Sequence, residues 1–282
     1  MSGDPTLTCT LLFSRFDEAS HTFVSTHISR ADGTDEREID MPGDEGGGRW
    51  SRSGDYIAVT TVLDDGRIGT AIITPDGAVD RVFDIPDDTL NLACTVWSPD
   101  DQRLACEGWD EGDASRNGIY TVRSSDGGDA LRLTETPANL ADFVGDYSPD
   151  GTAFLFKRTT EEDPAPLMRV STAGGEATVL SDLEVEDPGR YSPDGETVLT
   201  SAGGRIVLLD TTGNEVGEIV EPGTYLFGPV WSPDGDHIAY SGTPAGAFRA
   251  DIFTSRPDGT DRRRVTSTPD NEIRVEWGRT TA

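Results

Sequence analysis

Carboxylates recur at one position relative to a regularly spaced aromatic residue. Four of them lie five residues before such an aromatic: Glu45, Asp142, Glu186 and Glu272. If a repeated fold brings these positions to one channel mouth, their oxygens form a ring able to hold a hard cation such as Ca²⁺. The alternative is that these four acids are ordinary surface residues, because a chain with 52 acidic residues places carboxylates at many exposed positions.

Other catalytic groups are scarce. His21, His27 and His237 are the only histidines, and we expect each on the surface or packed on a strand. The chain has no Gly-x-Ser-x-Gly nucleophile elbow, no P-loop and no dinucleotide fingerprint opening a helix. We therefore predict no catalytic residues.

A binding rim is the second candidate site. The longest inter-strand connections are 107–118 and 157–167, and the first contains a tryptophan among acids. Tryptophan is favoured in binding hot spots, although it can also pack over its own loop. We predict a ligand- or partner-binding rim made of Glu107, Trp109, Asp110, Phe143 and Phe227.

The elements that position these residues follow from an internal repeat. Aromatic residues at 50, 97, 147, 191, 231 and 277 each begin a copy of one motif. Four copies carry the full turn signal: 97–101, 147–151, 191–195 and 231–235, reading aromatic-Ser-Pro-Asp-Gly or, in the first, Trp-Ser-Pro-Asp-Asp. Pro presets φ, Asp bonds nearby backbone N–H groups and Gly accepts a positive φ, so each motif predicts a tight hairpin.

A second turn signal, Asp-Gly or similar, follows about 25 residues later between two more strand-like runs. Each repeat therefore predicts four antiparallel strands, named A to D, with the aromatic at the end of A. Six such repeats describe an all-β, six-bladed β-propeller.

The two ends of the chain complement each other. Residues 272–277 read as a strand A with no strand after it, whereas 7–13 read as a strand B with no strand A before it. We predict that both ends together close the first blade, which removes a free sheet edge. Residues 1–282 then form a single domain, with approximate blades at 272–282 plus 1–40, 46–84, 92–134, 142–181, 186–220 and 226–267.

The four full motifs resemble the WSPDG repeat of TolB-like propellers, a WD-repeat-like pattern that recurs in the gating propellers of prolyl oligopeptidase relatives. The resemblance covers nearly the whole chain and implies protein or peptide binding for the non-enzymatic members. It departs at Arg52-Ser53 and at Gly278-Arg279, where Pro and Asp are missing. Those two turns are expected to differ in shape.

The residue before each aromatic is charged in four repeats: Arg49, Asp146, Arg190 and Glu276. Around the ring Glu276 neighbours Arg49 and Asp146 neighbours Arg190, so we predict these two inter-blade ion pairs.

The net charge is −29, from 52 acids and 23 bases, and Lys157 is the only lysine. Phosphate binding needs clustered bases, so a nucleic-acid partner is excluded. Repulsion among so many negative charges opposes a compact fold, but at about 1 M salt the Debye length falls to about 3 Å and the repulsion is screened. Such acidity therefore suits a salt-loaded cytoplasm. We find no export signal or spanning segment, and expect a cytoplasmic monomer from a halophilic organism without membrane insertion.

The chain has three cysteines, Cys9, Cys94 and Cys106. An odd number of cysteines in a chain without an export signal does not favour a disulfide framework. We expect reduced, buried side chains, although Cys94 and Cys106 lie symmetrically about the Ser98–Gln102 turn and could face each other across two strands.

Two functions remain. The first is a non-catalytic scaffold that binds a protein or peptide at the loop rim and channel mouth, with no cofactor. The second is a metal-dependent hydrolase or lyase acting on a carbohydrate or lactone at the same mouth, with Ca²⁺ as a candidate ion. The scarcity of acid–base groups favours the scaffold.

Overall fold

The computed structural model describes residues 10–17, 19–43, 47–83, 89–159 and 165–279. Over these ranges the chain is all-β: strands form six four-stranded antiparallel blades arranged in a propeller ring, with a 3₁₀ turn at Ala114–Arg116. The predicted fold class is confirmed. No helix within the described ranges is long and apolar enough to cross a membrane.

The strands are numbered in chain order, and in each blade the first strand given is the innermost. Blade 1 contains β24 (Asn271–Gly278), β1 (Thr10–Phe16), β2 (Phe23–Arg30) and β3 (Arg37–Ile39). Blade 2 contains β4 (Arg49–Trp50), β5 (Ile57–Val62), β6 (Ile68–Ile73) and β7 (Val79–Val82). Blade 3 contains β8 (Leu90–Trp97), β9 (Arg103–Asp110), β10 (Gly118–Arg123) and β11 (Leu131–Arg132).

The remaining three blades follow the same order. Blade 4 contains β12 (Ala141–Tyr147), β13 (Ala153–Thr159), β14 (Ala165–Ser171) and β15 (Thr178–Val185). Blade 5 contains β16 (Arg190–Tyr191), β17 (Thr197–Ala202), β18 (Arg205–Asp210) and β19 (Glu215–Ile219). Blade 6 contains β20 (Thr224–Trp231), β21 (Ile238–Pro244), β22 (Asp251–Ser255) and β23 (Arg263–Arg264).

The ring closes through blade 1, as predicted from the two ends of the chain. Strand β24 pairs antiparallel with β1, and Trp277 lies opposite Leu11. The edge that an open array of blades would expose is thereby paired.

The repeated turn has one local design. In the fourth blade the Ser148 hydroxyl donates to Asp150 Oδ1 (2.6 Å), which also accepts the backbone N–H of Thr152 (3.0 Å). The N–H of Gly151 donates to the Ser148 carbonyl (2.8 Å), and φ of Gly151 is +72°. The Ser–Asp contact recurs at 2.6 Å in the turns at 98–100, 192–194 and 232–234.

The core is divided into six apolar clusters, one between each pair of neighbouring blades. Successive side chains of a strand point to opposite faces of its blade and pack against the two neighbouring blades, as in β1. Leu11 and Phe13 face blade 6, whereas Leu12 faces blade 2. Each blade is therefore buried on both faces, which fixes the inner strands around the channel.

The cysteines correct one expectation. Cys94 and Cys106 lie opposite each other on β8 and β9 and form a disulfide in the structure, both fully buried. The expectation of reduced side chains is wrong for this pair, because the hairpin register places them face to face. Cys9 lies outside the described residues.

Candidate functional site

The inner strands surround a channel that contains two chambers. The first, the turn-face chamber, has a volume of about 580 Å³ and lies at the A–B turns. Its lining combines serines and charged residues of the turns, such as Arg52, Asp100 and Arg279, with the six motif aromatics and four turn prolines: Trp50, Trp97, Tyr147, Tyr191, Trp231, Trp277, Pro99, Pro149, Pro193 and Pro233. A chamber of this size and lining is typical of a ligand site.

The second, the loop-face chamber, has a volume of about 450 Å³ and lies toward the longer loops. Its lining is charged in both senses, with Glu107, Glu186 and Asp187 among the acids and Lys157 and Arg274 among the bases.

Three charged residues line both chambers and lie between them, and we call them the channel bridge: Arg49, Arg190 and Glu276. Glu276 Oε1 lies 3.5 Å from Arg49 Nε and also accepts a hydrogen bond from Arg190. The Arg49 guanidinium reaches across to blade 4, donating to the carbonyls of Gly145 (2.5 Å) and Val144 (3.3 Å). Burial, with repulsion from Arg190, lowers the pKa of Arg49 to about 10.

The bridge confirms one predicted ion pair and corrects the other. Glu276 contacts Arg49 as predicted. Asp146 does not pair with Arg190, however, but with Arg52 NH2 at 2.7 Å. The reason is that Arg52 stands where four other copies have Pro, so a guanidinium projects from that turn, while Arg190 spans the channel to Glu276.

Of the predicted acidic ring, the described members are engaged elsewhere. Asp142 accepts Arg158 Nε (2.6 Å) and the Thr134 hydroxyl (2.6 Å). Fully buried Glu272 accepts Arg15 Nε at 2.9 Å.

Glu186 accepts the Tyr225 hydroxyl (2.5 Å) and the Gly203 N–H (3.0 Å). No group of three or more His, Cys, Asp or Glu able to hold a metal is found among the described residues. Glu45, the fourth member, lies outside them, so the Ca²⁺ ring stays a prediction.

The predicted rim is split between two places. Glu107 and Phe143 line the loop-face chamber. Trp109 and Asp110 instead line a separate outer cleft of about 420 Å³. The Trp109 indole donates to Glu111 (3.1 Å), and buried Asp110 accepts from Arg116 NH1 (2.6 Å). Phe227 is half-buried beside Tyr225, with ring centroids 6.3 Å apart.

The histidines take packing roles within blades 1 and 6. His27 is buried, stacks on Phe13 with centroids 5.7 Å apart and lies 3.1 Å from Arg15 NH1. His21 lies near the Phe248 ring, and His237 Nε2 is 3.9 Å from Asp261.

One functional candidate was missed from the sequence. Lys157 is buried, donates from Nζ to the Glu186 carbonyl (2.8 Å) and lies 5.5 Å from the Phe143 ring centroid. Burial lowers the pKa of Lys157 and raises the pKa of Glu107, which accepts the Val144 N–H at 3.0 Å. Two groups shifted toward their neutral forms thus line one chamber. The sequence feature that could have pointed to this residue is that Lys157 is the only lysine in the chain.

Fold and channel together define a six-bladed β-propeller with a two-chambered channel. Superposition on TolB from Acinetobacter baumannii gives a TM-score of 0.73 at 18% identity, covering 97% of this chain and 67% of TolB. A second structure, oligogalacturonate lyase in complex with manganese, gives a TM-score of 0.53 at 17% identity, covering 92% of this chain and 73% of the lyase. These likenesses establish a TolB-like propeller fold and leave function open.

Among curated proteins, the uncharacterized peptidase YuxL of Bacillus subtilis (strain 168) is 28% identical over 155 residues. That stretch is 51% of this chain and 21% of YuxL, so the chain matches only a minor part of the peptidase. No protein-family model matches the chain.

Proposed function

We propose that the chain is a non-catalytic propeller that binds a protein or peptide segment through the mouths of its channel and its loop rim. The observation that supports this proposal best is the turn-face chamber, whose lining combines six aromatic side chains and four prolines with charged and hydroxyl side chains of the turns. Aromatic residues in a desolvated pocket supply much of the binding energy in protein recognition. The resemblance to TolB supports the same class of function.

A photocrosslinking experiment tests this proposal. A photoreactive phenylalanine derivative replaces Trp231 in the chamber wall, Phe143 in the loop-face chamber, or Val82, which is exposed on the outer strand β7. In a native extract at high salt, crosslinks to a polypeptide are expected from positions 231 or 143. Crosslinks from position 82 alone, or from none of the three, would contradict the proposal.

The proposal includes the cytoplasm of a salt-adapted microbe as the setting, which the acidic composition supports. The disulfide between Cys94 and Cys106 argues for an oxidising compartment, since disulfides are rare in the cytosol. Fractionation of the source cells, followed by immunoblotting, decides between the two.

An enzyme is the second candidate, and Lys157 with Glu107 is the observation that favours it. The two side chains line the same chamber, and burial shifts the pKa of each toward its neutral form, the form in which a lysine acts as a base and a carboxyl group as an acid. Turnover of a sugar acid or lactone that is lost in Lys157→Met would replace the scaffold proposal with this one.

A further inference from the structure

The channel bridge carries more positive than negative charge. Arg49 and Arg190 share a single carboxylate, that of Glu276. Arg52, which also lines the turn-face chamber, is paired with Asp146. Glu107 and Asp146 also act electrostatically on Arg49, whereas Arg190 has its ion pair with Glu276 alone among the described residues.

Arg190 is the less saturated of the two guanidiniums. Arg49 has two backbone carbonyls in addition to Glu276. Within the described part of the chain, the Arg190 guanidinium has one hydrogen bond, to Glu276, although a guanidinium offers five N–H donors. Its side chain keeps 19% of its surface exposed to the channel, so free donors are available there.

The bridge also limits how a ligand can lie. Arg49 spans from blade 2 to blade 4 and Arg190 spans from blade 5 to Glu276 of blade 1, so side chains cross the channel between the two chambers. A polypeptide entering from the turn face meets these side chains and ends there. We infer that the turn-face chamber binds the free carboxyl terminus of a peptide, with its carboxylate on Arg190 and Arg49 and its last side chain among the aromatic and proline walls. This inference rests on the proposed function.

A peptide end fits the wall better than an acidic sugar does. Sugars stack on exposed ring faces, whereas five of the six wall aromatics are at least nine-tenths buried and leave little ring surface for stacking. A guanidinium pair recognises a carboxylate through paired N–H donors.

Two peptide pools test the inference. Both are tripeptides Gly-Gly-Xaa with every common residue at the last position, one pool as free acids and the other as C-terminal amides. Retention by the immobilised full chain is measured by mass spectrometry, with free galacturonic acid as a competitor. We expect the best-retained free acids to exceed their amides by about tenfold, the ratio that 1.4 kcal/mol produces.

Three variants sharpen the test. Arg190→Gln should abolish the preference for acids. Glu276→Gln should raise retention of acids above that of the parent chain, because it removes the competing carboxylate, and unfolding cannot mimic a gain. Arg263→Gln, which removes the same charge from the exposed outer strand β23, should change nothing.

Equal retention of the two pools overturns the inference but leaves peptide binding in place. Retention of neither pool also overturns it, and the crosslinks from positions 231 and 143 then judge the proposed function separately. Complete displacement of the peptides by galacturonic acid at equal concentration would assign the chamber to sugar acids instead.

Discussion

The carboxylate of Asp101 accepts the backbone N–H of Arg52 at 2.7 Å, and its second oxygen accepts the N–H of Ser53 at 2.8 Å. This contact joins the A–B turn of blade 3 to that of blade 2. It replaces an apolar contact used at other junctions of the ring, where the turn glycine of one blade packs on the turn proline of the preceding blade.

Gly195 and Pro149 illustrate the usual arrangement. A Cβ added to Gly195 would lie 3.3 Å from Pro149 Cδ, so little room is left beyond glycine. Between blades 2 and 3 both partners differ. Arg52 stands in place of Pro and supplies an N–H that proline lacks, and Asp101 stands in place of Gly and accepts it.

Asp101→Ala should lower the free energy of unfolding by about 1 to 2 kcal/mol, because hydrogen bonds to a charged acceptor are lost. Asp101→Gly should cost less, since φ is +57° at this residue and glycine adopts that value without strain. Urea unfolding measures both. Asp236→Ala, an exposed acid near the blade 6 turn, should stay within about 0.5 kcal/mol of the parent.

A double-mutant cycle isolates the pairing itself. Arg52→Pro combined with Asp101→Gly should be more stable than the sum of the single effects, since it rebuilds the proline–glycine contact of other junctions. The Arg52–Asp146 ion pair is lost both in Arg52→Pro and in the double variant, so its contribution cancels from the coupling energy. Strict additivity would show that the two positions are not coupled.

The blades were predictable from sequence because their information is local. The hydrogen bonds of the Ser148 and Asp150 side chains and of the Gly151 N–H stay within residues 148–153, so the motif itself specifies the hairpin. Six copies then specify six blades, and unmatched strands at the two ends predict that β24 pairs with β1.

The channel was predictable only in part, because its contacts join distant residues. Glu276 is 86 residues from Arg190, and the direction of each guanidinium depends on its length and on what fills the turn beside it. Acid spacing likewise placed Asp142 and Glu272 at equivalent strand positions, but Arg158 and Arg15 from neighbouring strands engage them. Strand register is periodic, whereas the choice of ionic partner is not.

Deleting residues 271–282 should destabilise the whole ring, because β1 loses its inner partner and the cluster between blades 6 and 1 loses Val275 and Trp277. The melting temperature should fall markedly in calorimetry. A synthetic peptide covering 269–282, added in trans, should restore part of the loss by mass action. An unchanged melting temperature would refute closure by β24.

Lys157 should titrate below the ordinary lysine value. Labelling with ¹³C-lysine gives a single side-chain signal, since the chain has one lysine. Its inflection should lie at a lower pH in the folded protein than in urea, where a lysine titrates near 10.4, because burial opposes the charged form. Between the folded and unfolded pKa values the unfolded chain binds more protons, so stability should rise with pH relative to Lys157→Met. A folded inflection at or above the urea value would contradict burial of the amine.

Salt should stabilise the protein through screening of its net charge. The melting temperature should rise steeply up to about 1 M KCl, where the Debye length has fallen to about 3 Å. Neutralising the exposed acids Asp64, Glu176 and Glu196 as amides should raise the melting temperature in dilute buffer and have little effect in concentrated KCl. An equal gain at both salt concentrations would rule out long-range repulsion as the cause.

Reducing the Cys94–Cys106 disulfide should weaken blade 3 and its contact with blade 2. The bond lies inside the apolar cluster between these blades. It links two strands of one hairpin through cysteines that are 12 positions apart in sequence. Cross-links of this kind contribute about 2 to 4 kcal/mol.

Thiol counting in denaturant should find one reactive group, that of Cys9, without reductant and three after reduction. Cys94→Ala with Cys106→Ala should show the stability of the reduced chain and lose all dependence on reductant. Three reactive thiols before reduction would mean that the cysteines only pack against each other, and the parent chain would then melt at the same temperature with and without reductant.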